Sequence, residues 1–85
     1  MNLLRMYKAK INITLRKSIL DPQGKAALQA LQDLGMNDVK SVRIGKFVEL
    51  EIDASDKEEA FRKAEEACKQ LLANEVMEDF NIQID

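Results

Sequence analysis

The 85-residue chain has no histidine and no tryptophan, and cysteine, proline and tyrosine occur once each. Without histidine, the usual cysteine–histidine nucleophile pair and most zinc sites are excluded. The lone Cys68 cannot form an internal disulfide, and it falls on an apolar stripe between Ala64 and Leu72 with no base at hand. It reads as a buried structural thiol, since free cysteine is among the most buried residue types. No constellation of nucleophile, base and stabiliser is left to support a free-standing enzyme. One Tyr and three Phe offer little for bases to stack on, and 13 Lys+Arg against 15 Asp+Glu give a net charge of -2. That balance lacks the basic field that collects phosphate backbones, so nucleic acid is not an expected partner. No apolar run approaches the roughly 20 residues of a membrane span. Residues 1–10 carry charges where a signal peptide needs an apolar stretch, so the expected location is the cytoplasm.

What is present is the composition of a folded protein, 46% hydrophobic and 33% charged. The chain reads as one domain over residues 1–85, without linker, repeat or low-complexity stretch. A domain this small buries only roughly two-thirds of the surface its unfolded chain exposes, so oligomerisation would help it.

Over 6–16 polar and apolar residues alternate, with Tyr7, Ala9, Ile11, Ile13 and Leu15 on one face and Lys8, Lys10, Asn12 and Thr14 on the other. This predicts a long, half-buried strand. Asp21 can cap a helix whose first position is Pro22, and Gly35 stands past its last apolar residue as a left-handed stop. The helix is expected over about 22–34, with Ala27, Leu28, Leu31 and Leu34 on one side. Further strands are expected at 39–44 and 48–52. Facing Ile44 with Val48 and Val42 with Leu50 requires a three-residue loop, Gly45-Lys46-Phe47, or an equivalent bulge. Ser55 with Glu58 reads as a capping box opening a second helix, with Phe61, Ala64, Ala67, Cys68, Leu71 and Leu72 inward. Asn74 is placed as its C-terminal cap. A last strand alternates Phe80, Ile82 and Ile84 with Asn81, Gln83 and Asp85. The order β-α-β-β-α-β predicts an α+β, ferredoxin-like two-layer sandwich, an antiparallel four-stranded sheet with both helices on one face. Lys8 and Lys10 would then face Glu49 and Glu51 across neighbouring central strands.

The carboxylates Glu58, Glu59, Glu65, Glu66, Glu75, Glu78 and Asp79 have no spacing that marks an acid–base pair or a metal site, and they read first as solvated surface. In Arg43-Ile44-Gly45-Lys46 a glycine between two cations can hold a phosphate or a partner's carboxylate, but it is not a P-loop, and a plain turn explains it equally well. Asp21-Pro22-Gln23-Gly24-Lys25 reads as a helix start. Gly24 inside that first turn is a weak helix former whose missing side chain admits another backbone or a neighbouring subunit.

Taken together, Leu20-Asp21-Pro22-Gln23-Gly24-Lys25-Ala26, Leu34-Gly35, Val42-Arg43-Ile44-Gly45-Lys46-Phe47-Val48-Glu49-Leu50 and Leu71-Leu72-Ala73-Asn74 with Val76-Met77-Glu78-Asp79-Phe80 closely resemble the PurS family. The resemblance runs from about Tyr7 to Ile84 and leaves 1–6 as a variable or disordered start. It implies a non-catalytic small subunit of phosphoribosylformylglycinamidine synthase, an amidotransferase of de novo purine biosynthesis. In that family a glutaminase, PurQ, releases ammonia and a synthetase, PurL, uses ATP to activate formylglycinamide ribonucleotide. PurS joins the two. No catalytic residue, metal ligand or cofactor is then expected in this chain, because ATP and magnesium belong to PurL. Self-association as a homodimer, or a tetramer, is implied as well. The partner-interface candidates carried over from the motifs are Asp21, Gln23, Gly24, Arg43, Gly45, Lys46, Asn74, Glu78 and Asp79, with Arg43 and Lys46 expected to meet acidic or phosphate groups. Glu75 departs mildly, standing where the family often has a small residue or proline.

Two other readings remain at this stage. A ferredoxin-like domain can be a regulatory sensor that binds a small molecule, or an RNA-binding module. The sensor predicts a saturable stability shift with an amino acid or nucleotide and no partner proteins. The RNA module needs aromatics exposed on central strands, whereas Tyr7 points inward and Phe47 is expected near a turn.

Overall fold

The computed structural model describes residues 4–85. Alternation makes Arg5–Leu15 the strand β1, with Ala9, Ile11 and Ile13 fully buried on one side and Lys8 and Asn12 exposed on the other. Arg5 and Met6 belong to this strand, opposite Ala54 and Asp53; residues 1–3 of the expected variable start lie outside the described residues. β1 is the middle strand. On one side it pairs antiparallel with β2, Lys46–Ala54, in a register that sets Lys10 opposite Glu49 and Ile11 opposite Val48. On the other it pairs antiparallel with β3, Glu78–Ile84, with Ile11 opposite Ile82 and Leu15 opposite Glu78. The outer face sets Lys8 and Lys10 opposite Glu51 and Glu49 as expected, with Lys8 3.8 Å from Glu49, while the Lys10 ammonium, unexpectedly, pairs with Asp85 at 2.7 Å.

The inner face is covered by α2, Lys57–Ala67, which ends in a single π-helical turn over Cys68–Leu72. Ala60, Ala64 and Cys68 are fully buried and recur every fourth residue, so small side chains let the helix lie close on all three strands. Phe61 and Leu71, both expected inward, are instead 40% and 84% exposed. The cap is displaced by one residue. Asp56, not Ser55, accepts from the Glu59 amide at 2.8 Å, while the Ser55 hydroxyl reaches the Glu59 carboxylate at 2.5 Å. Asn74 does not cap the helix; it organises the turn that follows it.

The first helix, α1, spans Pro22–Asp33, with Asp21 as its N-cap, Pro22 in its first turn and Gly35 at φ 92° beyond its end. Three expectations fail around it. Among the described residues the sheet has three strands, in the order β2-β1-β3, and 39–44 joins no ladder. Nor is there a loop at Gly45-Lys46-Phe47, because Lys46 and Phe47 already lie in β2 opposite Ile13 and Asn12. The Ile44 amide, which would have entered a hairpin, instead donates to the Asp21 carboxylate at 2.9 Å. Moreover, α1 does not cover the sheet. The buried core, Ala9, Ile11, Ile13, Ala54, Ala60, Ala64, Cys68, Ala73 and Ile84, contains no residue of α1. Residues 16–45 therefore form an arm, α1 beside 39–44, that projects from a sheet-and-helix unit. The described chain measures 61 × 24 × 14 Å with a radius of gyration of 17.0 Å, against about 12 Å for a compact chain of this length.

Candidate functional site

Most of the nine candidates meet at the base of the arm, where β1 ends and β2 and β3 begin. Asp21 stands at the centre. One carboxylate oxygen accepts from the Gly24 amide and the other from the Ile44 amide, each at 2.9 Å. These amides, Ile44 first, together with the nearby Arg43 cation, hold the Asp21 carboxyl below the usual carboxylate range. Gly24 is buried, and a Cβ there would lie 2.4 Å from the Val42 carbonyl oxygen. Gly45 is as constrained, since a Cβ would lie 2.2 Å from the Ile13 carbonyl oxygen. Both glycines are thus required by backbone passing close to backbone. Arg43 extends its guanidinium to the Leu15 carbonyl at the end of β1.

The second half of the site is the turn into β3. The Asn74 amide donates to the Glu78 carboxylate at 2.8 Å, and the Asn74 carbonyl accepts from the Glu78 amide at 2.7 Å. The Asn74 side-chain oxygen accepts from the Val76 amide at 3.0 Å. Lys46 lies 3.9 Å from Glu78, which joins β2 to β3 over the end of β1. Asp79 lies 3.4 Å from Arg16. Between the halves is a shallow cavity of about 290 Å³ lined by Leu15, Asp21, Pro22, Gln23, Ile44, Gly45, Lys46 and Glu78. Six of the candidates, Asp21, Arg43, Lys46, Asn74, Glu78 and Asp79, are engaged within the chain through their side chains, while the Gln23 side chain is exposed.

Arg16 is the residue that reasoning from the sequence missed. Its amide donates to the Met77 carbonyl at 2.9 Å, and its guanidinium reaches the Glu75 carbonyl as well as Asp79. Arg16 therefore fastens the 74–78 turn to β1. Its partners lie some sixty positions away, and no local spacing signals such a contact.

Chemically the site is a set of paired charges and shared backbone groups. Among the described residues no group of three or more His, Cys, Asp or Glu could hold a metal ion. Cys68 is buried away from the site, and burial, with Glu65 adding to it, pushes its thiol up from the ordinary range. Phe47 is 55% exposed on β2 rather than placed in a turn. No helix among the described residues is long and apolar enough to cross a membrane.

Residues 8–85 match the family model described as PurS, phosphoribosylformylglycinamidine (FGAM) synthase. The chain is 44% identical over 80 residues to the phosphoribosylformylglycinamidine synthase subunit PurS of Bacillus subtilis, covering 94% of each. Its structure resembles that of B. subtilis PurS with a TM-score of 0.84 at 43% identity, over 93% of this chain and 98% of the other. It also resembles a chain in the structure of PurLQS from Thermotoga maritima, with a TM-score of 0.88 at 31% identity, over 95% of this chain and 99% of that one.

Proposed function

Because the chain belongs to the PurS family, we propose that it is the non-catalytic small subunit of a phosphoribosylformylglycinamidine synthase, docking a PurQ glutaminase to a PurL synthetase. The observation that carries this reading is the likeness of nearly the entire chain, arm included, to a chain of the PurLQS structure. In this role the subunit supports conversion of formylglycinamide ribonucleotide to formylglycinamidine ribonucleotide in the cytoplasm. The glutaminase releases ammonia from glutamine, and the synthetase, holding ATP and magnesium, uses it. Ammonia released into bulk water is protonated and diluted, so docking the two active sites raises the yield of the coupled reaction.

Self-association is part of the proposal. Leu28 and Leu31 of α1 are only half covered, and Leu20 and Leu34 are 69% and 77% exposed. An arm of one helix and one further segment cannot bury such a surface alone. A second copy supplies the missing layer, and the four-stranded, two-helix sandwich is then completed between copies rather than within one.

The test is a glutamine-dependent amidotransferase assay with purified PurL and PurQ, ATP and magnesium, with and without this chain. Glutamine-dependent turnover is expected only with the chain present, while ammonia-dependent turnover needs PurL alone. Unchanged glutamine-dependent turnover, with no co-elution, overturns the proposal.

A further inference from the structure

The arm is joined to the sheet by two strands of chain and by few side chains. No residue of α1 reaches the buried core, so packing against the core does not fix the direction in which α1 projects. Residues 42–44 lead through Gly45 into β2 and are anchored there, by Gly45 against the Ile13 carbonyl and by Arg43 on the Leu15 carbonyl. What ties α1 to this anchored segment is Asp21, one oxygen on the helix's own Gly24 amide and the other on the Ile44 amide, 23 positions away.

We propose that Asp21 is a positioning residue, the pin that sets α1 at one angle to the sheet so that its apolar surface is offered to a second copy in one orientation. The second half rests on the self-association put forward above. Asp21 is half-buried, and Gly24 lets the helix start close enough to Val42 for both bonds to form at once. A helix cap alone uses one oxygen; the second oxygen, on Ile44, is what turns a cap into a joint.

Asp21→Asn separates the two roles. The amide oxygen can still cap the helix at Gly24, but the amide nitrogen then faces the Ile44 N–H, donor against donor. Nitroxide labels at Ala30→Cys in α1 and Glu51→Cys in β2, diluted with unlabelled protein, report the arm's angle as an intrachain distance by pulsed electron paramagnetic resonance. Buried Cys68 stays unlabelled. The native chain is expected to give one narrow distribution and Asp21→Asn a broad one, with far-ultraviolet circular dichroism unchanged. By sedimentation equilibrium, Asp21→Asn should self-associate about tenfold more weakly, the effect of leaving one donor unpaired. A distribution as narrow in Asp21→Asn as in the native chain overturns the pin, as does broadening only in Asp21→Ala, where the cap is lost too. A native chain that sediments as a monomer at every concentration overturns the self-association reading instead, and the distance distribution still decides the pin.

Discussion

At the residue scale the tightest constraints fall on groups with almost no side chain. Gly45 faces the Ile13 carbonyl so closely that Gly45→Ala forces β1 and β2 apart, and we expect a loss of about 2 kcal/mol of stability, typical of overpacking, in urea unfolding. Gly35→Ala is strained for a different reason, its φ of 92°, although nothing crowds its Cβ. Cys68 supplies a second residue-scale prediction. Buried and with its thiol pushed up, it should resist a soluble disulfide reagent at pH 8 in the native chain and react promptly in urea. Rapid native labelling would show that the π-helical turn opens readily. The helix start at Asp21 and the stop at Gly35 were legible because caps act through neighbours in sequence. Arg16 was not, for its charge serves a turn reached only after the chain has crossed the sheet twice.

At the element scale β1, β2, β3 and α2 were legible in the alternation and periodicity of their residues, because each buries one face within the same chain. The 39–44 segment, with Val42 and Ile44 two apart on one side, was read as a strand and still forms no ladder. Apolar patterning identifies a segment that needs cover and says nothing of which chain supplies it. The same holds for α1, whose stripe of Ala27, Leu28, Leu31 and Leu34 is real but does not meet the sheet. The loop expected at Gly45-Lys46-Phe47 followed from pairing Ile44 with Val48, whereas the Ile44 amide instead donates to the Asp21 carboxylate. Of the site, the motifs named nine residues that the fold gathers largely at one end, but not the bonds among them. The contrast between elements is testable with a pair of substitutions. Ile11→Ala opens a void in the core and should cost roughly 2–5 kcal/mol in urea unfolding. Leu34→Asp, on the exposed side of α1, should leave the sheet intact and weaken self-association in sedimentation equilibrium. Equal effects of the two on unfolding, with no change in association, would mean that α1 packs within its own chain.

At the scale of the whole molecule, stability should follow a few surface carboxylates. Asp21 is held below the ordinary range by the Ile44 and Gly24 amides, Glu59 by the Ser55 hydroxyl and then Lys63, and Asp85 by Lys10. A depressed carboxyl contributes stability that is complete above its unfolded pKa and fades as pH falls through its folded value. Thermal unfolding midpoints should therefore drop as the pH is taken below about 4, and Glu59→Gln should shallow that drop. Lys10 has the opposite sign. Its pKa is raised by Asp85, so its contribution is complete below the ordinary lysine range and fades as pH rises through the folded value. The long, thin outline has a consequence of its own. A rod-like particle drags more water and tumbles more slowly than a sphere of equal mass, so a single copy should leave a sizing column early, at the volume of a heavier globule. Pairing that lays two arms together makes the particle stouter. Its friction should then grow more slowly than its mass, and the doubled species should elute closer to the single one than globular standards predict.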